Sequence, residues 1–177
     1  MSHSFEIRPA ESGDRDAAYR ISLKTGDAGG DASRLYRDPE LMGHLYVGPY
    51  LKFTGSIGFV AKDRDGLIGY VLGVSDTGAF EREAERRWWP SLRRKYREPV
   101  GDRDAWTPDQ RRIRSIHYPE ATPADIVRSY PAHVHMNLLP RAQRRGIGSR
   151  LFETWIGEAT RRDVAAVHAR VSAANKG

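Results

Sequence analysis

The strongest constraint on the fold lies near the end of the sequence, between Val134 and Ser172. An apolar segment, VHMNLL, is followed by a helical pattern over Gly148 to Arg162 and then by a second apolar segment, VAAVHARVS. Two strands joined through one helix lie parallel and side by side, with the helix packed across them. Ligands of such units collect at the carboxyl end of the first strand, beside the helix N-terminus.

The helix of this unit is amphipathic, with Arg150, Glu153 and Arg161 predicted to face outward. Its other face should pack against the sheet. The apolar stripe on that face consists of Leu151, Phe152, Trp155, Ile156 and Ala159.

One strand and two helices are predicted before residue 52. The segment FEIRPA forms a strand that is stopped by Pro9. Asp14 is placed to cap the first helix, and Asp38 with Pro39 is an N-cap and first-position pair for the second. Pro49 should end that second helix.

A hairpin and a helical insert occupy the middle of the chain. Asp65-Gly66 is a strong tight-turn pair between the strands GFVAKD and LIGYVLGV. Apolar residues then recur at every fourth position from Phe80 to Tyr96, and Thr107 begins a further helix. We therefore expect a single α/β (α+β) domain over residues 1–177, with a helical insert around 80–115.

The composition excludes several classes of protein. The 177 residues include no cysteine, so disulfides, thiolate catalysis and cysteine zinc sites are ruled out. Six scattered histidines without helical metal-ligand spacing predict no metal site. No apolar run approaches the roughly 18 residues of a membrane span, and MSHSFEIRPA lacks the features of a signal peptide. We expect a cytoplasmic protein with no membrane association.

The formal net charge of +6 favours anionic partners. Both signs of charge are interleaved through the insert, which is typical of a solvated helical surface. No nucleic-acid recognition motif is present, so we expect no nucleic-acid partner.

Four arginines surround two glycines where the last helix should begin. A helix start offers unpaired N–H groups and a partial positive charge. Glycines let an anion approach the backbone closely, and arginines add charge-assisted hydrogen bonds. These features favour a pyrophosphate site, the alternative being a basic turn before a capped helix. The residues concerned are Arg141, Arg144, Arg145, Gly146, Gly148 and Arg150.

Two nucleotide-binding motifs can be excluded for this loop. A P-loop needs Lys and then Ser or Thr after its last glycine, whereas Gly148 is followed by Ser149 and Arg150. The dinucleotide-binding motif needs a glycine where this sequence has Leu151. The loop therefore matches neither of these nucleotide-binding motifs.

The loop is the run Gln143-Arg144-Arg145-Gly146-Ile147-Gly148. It resembles the Q/R-x-x-G-x-G/A motif of the GNAT superfamily of N-acetyltransferases, which holds the pyrophosphate of acetyl-CoA. The longer run YPAHVHMNLLPRAQRRGIGSRLFETW, with TGDAGGDA and LYVGPYL, is similar to the acetyltransferase-like domain of O-GlcNAc hydrolases and its stand-alone bacterial relatives. The resemblance covers most of the chain and implies a GNAT-type mixed central sheet flanked by helices, with acetyl-CoA or CoA as cofactor.

The resemblance also implies a cofactor site. Residues 143–148 correspond to the pyrophosphate loop, to which Ser149 can add a hydroxyl. Met136 and Leu138 lie where family members use strand backbone to bind the pantetheine arm, and Asn175 matches an asparagine that contacts the pantetheine.

The sequence departs from the family at its end. Family members continue with a helix, whose tyrosine protonates the leaving thiolate, and then two more strands. This sequence stops at Asn175-Lys176-Gly177. The expectations are a truncated product, completion of the C-terminal edge by a partner chain as in a homodimer, or absence of the acid.

Candidate catalytic and acceptor residues come from two segments. Strand alternation puts His133, His135 and Asn137 on one face of the strand AHVHMNLL. We take His135 as the candidate general base, since histidine titrates near neutral pH. Tyr46 and Tyr50 are candidates for the acceptor groove, together with His133 and Asn137. The alternatives are buried structural histidines and tyrosines that simply pack on the sheet.

Two functions follow from these residues. The first is an acetyl-CoA-dependent N-acetyltransferase that acts on a small-molecule or protein amine by direct attack in a ternary complex. The second is a non-catalytic acyl-CoA-binding or protein-interaction domain. The adjacent Trp88 and Trp89 are expected to pack the insert onto the body, with an acceptor platform as the alternative.

Overall fold

The computed structural model describes residues 4–171. At its centre is a five-stranded sheet in the order β1-β2-β3-β4-β5. Adjacent strands from β1 to β4 are antiparallel, and β5 is parallel to β4. The predicted mixed sheet is confirmed. The strands are β1 Glu6–Pro9, β2 Ser56–Asp63, β3 Gly66–Val74, β4 Ala132–Leu138 and β5 Val167–His168.

Helices cover both faces of the sheet. Within the described residues none of them is long and apolar enough to cross a bilayer. They are α1 Arg15–Lys24, α2 Leu41–Tyr46, α3 Gly48–Lys52, α4 Thr77–Arg87, α5 Trp89–Lys95, α6 Pro108–His117, α7 Ala124–Ser129 and α8 Ile147–Arg161.

Apolar side chains alternate between the two faces of the sheet, as strand geometry requires. Ile57 and Val71 pack in one cluster with α8, whereas Val60 and Leu72 pack in another with α1. A third cluster lies between α2 and the insert helices. The sheet is therefore covered by α8 on one face, and by α1 to α3 with the insert on the other.

The predicted crossover of β4, α8 and β5 is confirmed. Helix α8 buries Leu151, Trp155 and Ala159, and the indole N–H of Trp155 donates to the Ile57 carbonyl at 3.1 Å. The prediction was wrong for Phe152, which is exposed. It lies at the edge of the stripe and lines an open space beside the sheet.

The predicted hairpin is also confirmed. Strands β2 and β3 are antiparallel and meet at a tight turn. Gly66 has a φ of +113°, a conformation that favours glycine. The Asp65 N–H donates to the Asp63 carboxylate at 2.9 Å and closes the turn.

Two predictions about the first helices were wrong. Asp14 does not cap α1 through its side chain, because its carboxylate binds the Arg8 guanidinium at 2.6 and 2.8 Å and the Glu11 N–H at 2.9 Å. A 3-10 turn ends at Asp14 and runs directly into the helix. Pro49 does not end α2, which stops at Tyr46. It lies in the first turn of α3, where its missing N–H costs nothing.

The insert is longer than predicted. It extends from Thr77 to Ser129 and includes α7, which the sequence pattern did not reveal. Helices α4 and α5 meet at Trp88, whose indole N–H donates to the His44 carbonyl at 2.9 Å. The prediction that Trp88 packs the insert onto the body is confirmed.

Two helical glycines provide a matched test of the packing between α1 and α2. A Cβ on Gly43 of α2 would lie 2.1 Å from Tyr19 Cγ, whereas a Cβ on Gly157 of α8 would meet nothing within 4 Å. We expect Gly43→Ala to lower the free energy of unfolding by about 1–3 kcal/mol. Gly157→Ala should raise it by up to about 1 kcal/mol, since alanine favours the helix. Urea unfolding measures both, and equal stabilities would contradict this packing.

Candidate functional site

Strands β4 and β5 separate after a very short ladder. Only Ala132 with Val167 and His133 with His168 are paired within the described residues, although β4 continues to Leu138. A cavity of about 440 Å³ lies between the separated segments. It is lined by residues 134–137 on one side, residues 169–171 on the other, and Phe152 of α8.

Backbone groups of β4 face this cavity. The Ala132 N–H donates at 3.3 Å to a carbonyl just before β5, whereas the Leu139 N–H donates at 2.9 Å to a carbonyl of β3. Because backbone groups alternate along a strand, those of Met136 and Leu138 point to the β5 side. The Gln143 side chain donates to the Leu138 carbonyl at 3.1 Å. The first residue of the predicted loop is thus fixed at the end of β4.

The rest of that loop leads into the N-terminus of α8. Arg144 and Gly146 both have left-handed φ angles, of 56° and 71°. No side chain caps α8, and its first turn contains no acidic residue. The first helical hydrogen bond joins the Arg150 N–H to the Gly146 carbonyl at 3.1 Å, so the amides before Arg150 have no acceptor inside the helix. A Cβ on Gly146 would meet no atom within 4 Å. The space beside Gly146, just before these amides, is therefore open.

The four arginines around the loop have different surroundings. Arg141 is hydrogen-bonded to the Asp63 carboxylate, and Arg150 lies over the Phe5 ring, with 4.7 Å between the guanidinium carbon and the ring centroid. Arg145 donates to the Arg141 carbonyl at 3.2 Å. Arg144 is exposed and makes no hydrogen bond or ion pair within residues 4–171. Arg141 and Arg150 thus already have partners in the fold.

The polar face predicted for β4 lies on the side of the sheet that carries α1 to α3 and the insert. His133 is held between the Tyr50 hydroxyl, 2.7 Å from Nε2, and the Thr77 hydroxyl, 2.9 Å from Nδ1. Burial, with smaller contributions from His168 and His135, lowers the pKa of His133 to about 4. Both ring nitrogens of His133 are thus hydrogen-bonded within the fold, and its role as an acceptor contact stays a prediction.

His135 has one hydrogen bond fewer. Its Nε2 lies 3.2 Å from the Tyr70 hydroxyl, while Nδ1 has no hydrogen-bond partner in the part of the chain that the structure describes. Burial lowers the pKa of His135 to about 4, so the imidazole is neutral at pH 7. The next polar residue on this face, Asn137, donates to the Thr25 hydroxyl and ties β4 to the end of α1.

A second cavity, of about 850 Å³, lies beneath the insert on the same face. Phe80 and Trp89 of the insert form part of its wall. Tyr50 also lines it, and its ring stacks on Phe80 with 4.6 Å between centroids. Tyr46 lines both cavities, with its ring centroid 5.8 Å from that of His135.

The two cavities adjoin where β4 passes beneath α2 and α6. The two cavities therefore share part of their walls at this junction. The residues that line both are Tyr46, Arg112, Val134, His135, Arg170 and Val171.

Arg112 is a junction residue that the sequence did not single out. Its Nε donates to the Tyr36 hydroxyl and its Nη1 to the Tyr46 hydroxyl, both at 3.0 Å. Burial opposes the charged form, but the two tyrosine oxygens outweigh it and the pKa of Arg112 is raised. The residue lies in an insert whose interleaved charges predicted a solvated surface, so no local signal marked it.

Asn175 lies outside the described residues. Within residues 4–171, no three histidine, cysteine, aspartate or glutamate side chains come together to form a possible metal site.

No model of a protein family matches the chain. The crystal structure of SsHAT is similar, with a TM-score of 0.87 and 36% identity over 97% of this chain and 85% of that one. A predicted acetyltransferase of Clostridium acetobutylicum, solved with acetyl-CoA, shares the fold with a TM-score of 0.53. It is 11% identical over 98% of this chain and 84% of that one.

Curated relatives match a smaller region. Protein O-GlcNAcase of Rattus norvegicus and of Mus musculus is 27% identical over 137 residues, or 77% of this chain. The chain spans only 15% of the length of these relatives.

The buried histidines make stability depend on pH. An unfolded histidine has a pKa of about 6.5, whereas that of His133 or His135 is about 4 in the fold. Between these values the unfolded chain binds more protons. The free energy of unfolding should therefore fall on acidification, by up to about 1.4 kcal/mol per pH unit and histidine.

Urea unfolding at pH 8 and pH 5 measures this dependence. Between pH 8 and pH 5, the free energy of unfolding should fall less in His135→Gln than in the unsubstituted protein. The difference between the two proteins at pH 8 is the baseline for this comparison. An equal loss in both proteins would show that His135 is not held in its neutral form.

Proposed function

The chain belongs to the GNAT superfamily of N-acetyltransferases, and on that premise we propose that it transfers the acetyl group of acetyl-CoA directly to an amine. The observation that carries the proposal is the junction of two cavities at Tyr46 and His135. Direct transfer requires both reactants to be held next to each other in one complex. One cavity accommodates the thioester and the other the acceptor.

The cavity between β4 and β5 suits acetyl-CoA, which supplies an acetyl group activated as a thioester. The backbone of Met136 offers hydrogen bonds to the pantetheine arm along the open side of β4. The amides at the start of α8, with Gly146 and Gly148 beside them, suit the diphosphate. Arg144 adds positive charge at the same place. The Clostridium acetobutylicum protein of the same fold was solved with acetyl-CoA, which supports this assignment.

His135 is the residue we propose as proton acceptor. It lies at the junction and is neutral at pH 7, with Nδ1 available for a hydrogen bond. As the amine nitrogen bonds to the carbonyl carbon, the carbon–sulfur bond breaks and the nitrogen loses a proton to the imidazole. Sulfur leaves as a thiolate and takes a proton from water, and the hydroxide that remains takes the proton from the imidazolium.

The rival function is a non-catalytic acyl-CoA-binding domain. It is favoured by the low pKa of His135, because a general base works best when its pKa is near the working pH. Both functions need the same cofactor cleft, so only turnover separates them.

A glycine pair tests the cofactor loop. Gly146→Glu places a side chain and a negative charge where the diphosphate should lie, and acetyl-CoA affinity should fall by about 100-fold or more. Gly101→Glu is the matched control, because Gly101 also has a left-handed φ, of 90°, and open space around it. Isothermal titration calorimetry measures both. Unchanged affinity in Gly146→Glu would overturn the assignment of the loop.

A histidine pair separates the enzyme from its rival. His135→Gln should reduce thiol release with an amine panel by about 100-fold or more, the usual range for a lost general base, while acetyl-CoA affinity is kept. His117→Gln, whose histidine lies outside both cavities and bonds the Tyr96 carbonyl, should leave turnover unchanged. Binding of acetyl-CoA without any thiol release in the unsubstituted protein would support the rival function.

A further inference from the structure

Arg112 is a half-buried cation held in a fixed orientation. The Tyr36 and Tyr46 hydroxyls accept hydrogen bonds from its Nε and Nη1. A guanidinium has five N–H groups, so these two bonds leave N–H groups at the end of the fork without a tyrosine acceptor. Arg112 lines both cavities at their junction, and the fork is therefore available to a ligand there.

No carboxylate among residues 4–171 forms an ion pair with Arg112. The acidic side chains that line the larger cavity are already engaged. Glu81 accepts two hydrogen bonds from Thr122. Glu85 is bound by Arg93, and Glu120 by Arg170. Within the described residues, the charge of Arg112 is thus met by two neutral hydroxyls and by the face of the Tyr46 ring, whose centroid lies 5.9 Å from the guanidinium carbon, and by no carboxylate.

Such an arrangement is costly unless it serves binding. Arginine is almost never fully buried without an ionic partner, and even half-burial removes part of the water from the charged group. A planar fork with free N–H groups matches a carboxylate, which it can bind through two parallel hydrogen bonds. The missing partner is most simply supplied by a reactant.

We propose that Arg112 binds a carboxylate carried by one of the two reactants. The inference rests on the proposed acyl transfer and specifies the substrate class for the same site. Transfer takes place at the junction, so a carboxylate on Arg112 lies close to the reacting atoms. It belongs either to the acceptor, which is then an amino acid or a similar amine, or to a dicarboxylic acyl group on the thioester.

The first experiment needs no variant. Thiol release from acetyl-CoA is measured with the twenty standard amino acids and with the amines that result from removing their α-carboxylate. In parallel, the affinities of succinyl-CoA and acetyl-CoA are compared by calorimetry. An acceptor carboxylate should raise kcat/KM about tenfold to a hundredfold over the matched amine, and an acyl carboxylate should raise succinyl-CoA affinity by a similar factor.

The second experiment removes the cation. Arg112→Met should abolish whichever preference is found while keeping acetyl-CoA affinity, which also shows that the variant is folded. Arg111→Met is the matched control, because Arg111 is an exposed neighbour on α6 that donates to the Asp104 carbonyl. The Arg111→Met variant should keep the carboxylate preference.

Each outcome decides the proposal. A carboxylate preference in either arm that Arg112→Met removes supports it and identifies the source. No preference in either arm, or one that persists in Arg112→Met, overturns it and leaves Arg112 as a tether between α6 and α2. Failure of the proposed acyl transfer is distinct, since it appears as loss of acetyl-CoA binding or of all thiol release in the unsubstituted protein.

Discussion

The separation of β4 from β5 is the constraint on which the rest of the site depends. Two residue pairs hold the strands together. Beyond His133, among the described residues, the backbone of β4 is paired with β3 and not with β5. Strands that stayed paired would close the cavity and cover the Met136 backbone. Helix α8 starts shortly after β4 ends, and the Gln143 side chain joins the start of its loop to the Leu138 carbonyl.

Burial of the polar face of β4 determines the electrostatics of the junction. His133 and His135 are both kept neutral by their surroundings, and each is held by a tyrosine hydroxyl. Helix α6 then brings Arg112 to the same place through Tyr36 and Tyr46. A neutral imidazole and a fixed guanidinium therefore lie together where the two cavities meet. The insert is thus part of the site as well as a cover for the sheet.

The sequence predicted what depends on local pattern. The crossover, the hairpin at Asp65-Gly66 and the amphipathic face of α8 all follow from periodicity and turn chemistry over a few residues. Contacts between distant segments could not be predicted in this way. Arg112 meets Tyr46 across 66 positions, and His135 meets Tyr70 across 65. Asp14 had the right residue type for a cap, but Arg8 competes for its carboxylate, and only the folded strand brings that arginine near.

The weak basicity of His135 does not by itself argue against catalysis. General bases contribute about 10²- to 10⁴-fold, whereas holding two reactants in register corresponds to effective concentrations of about 10⁵–10⁸ M. In the acyl transfer proposed above, the junction would provide the larger of these two contributions. A cation such as Arg112 also disfavours an ammonium beside it and favours the neutral amine that attacks. Such a site depends on positioning the reactants and on keeping the amine uncharged. Its base then needs little basicity, because the amine already tends to lose its proton.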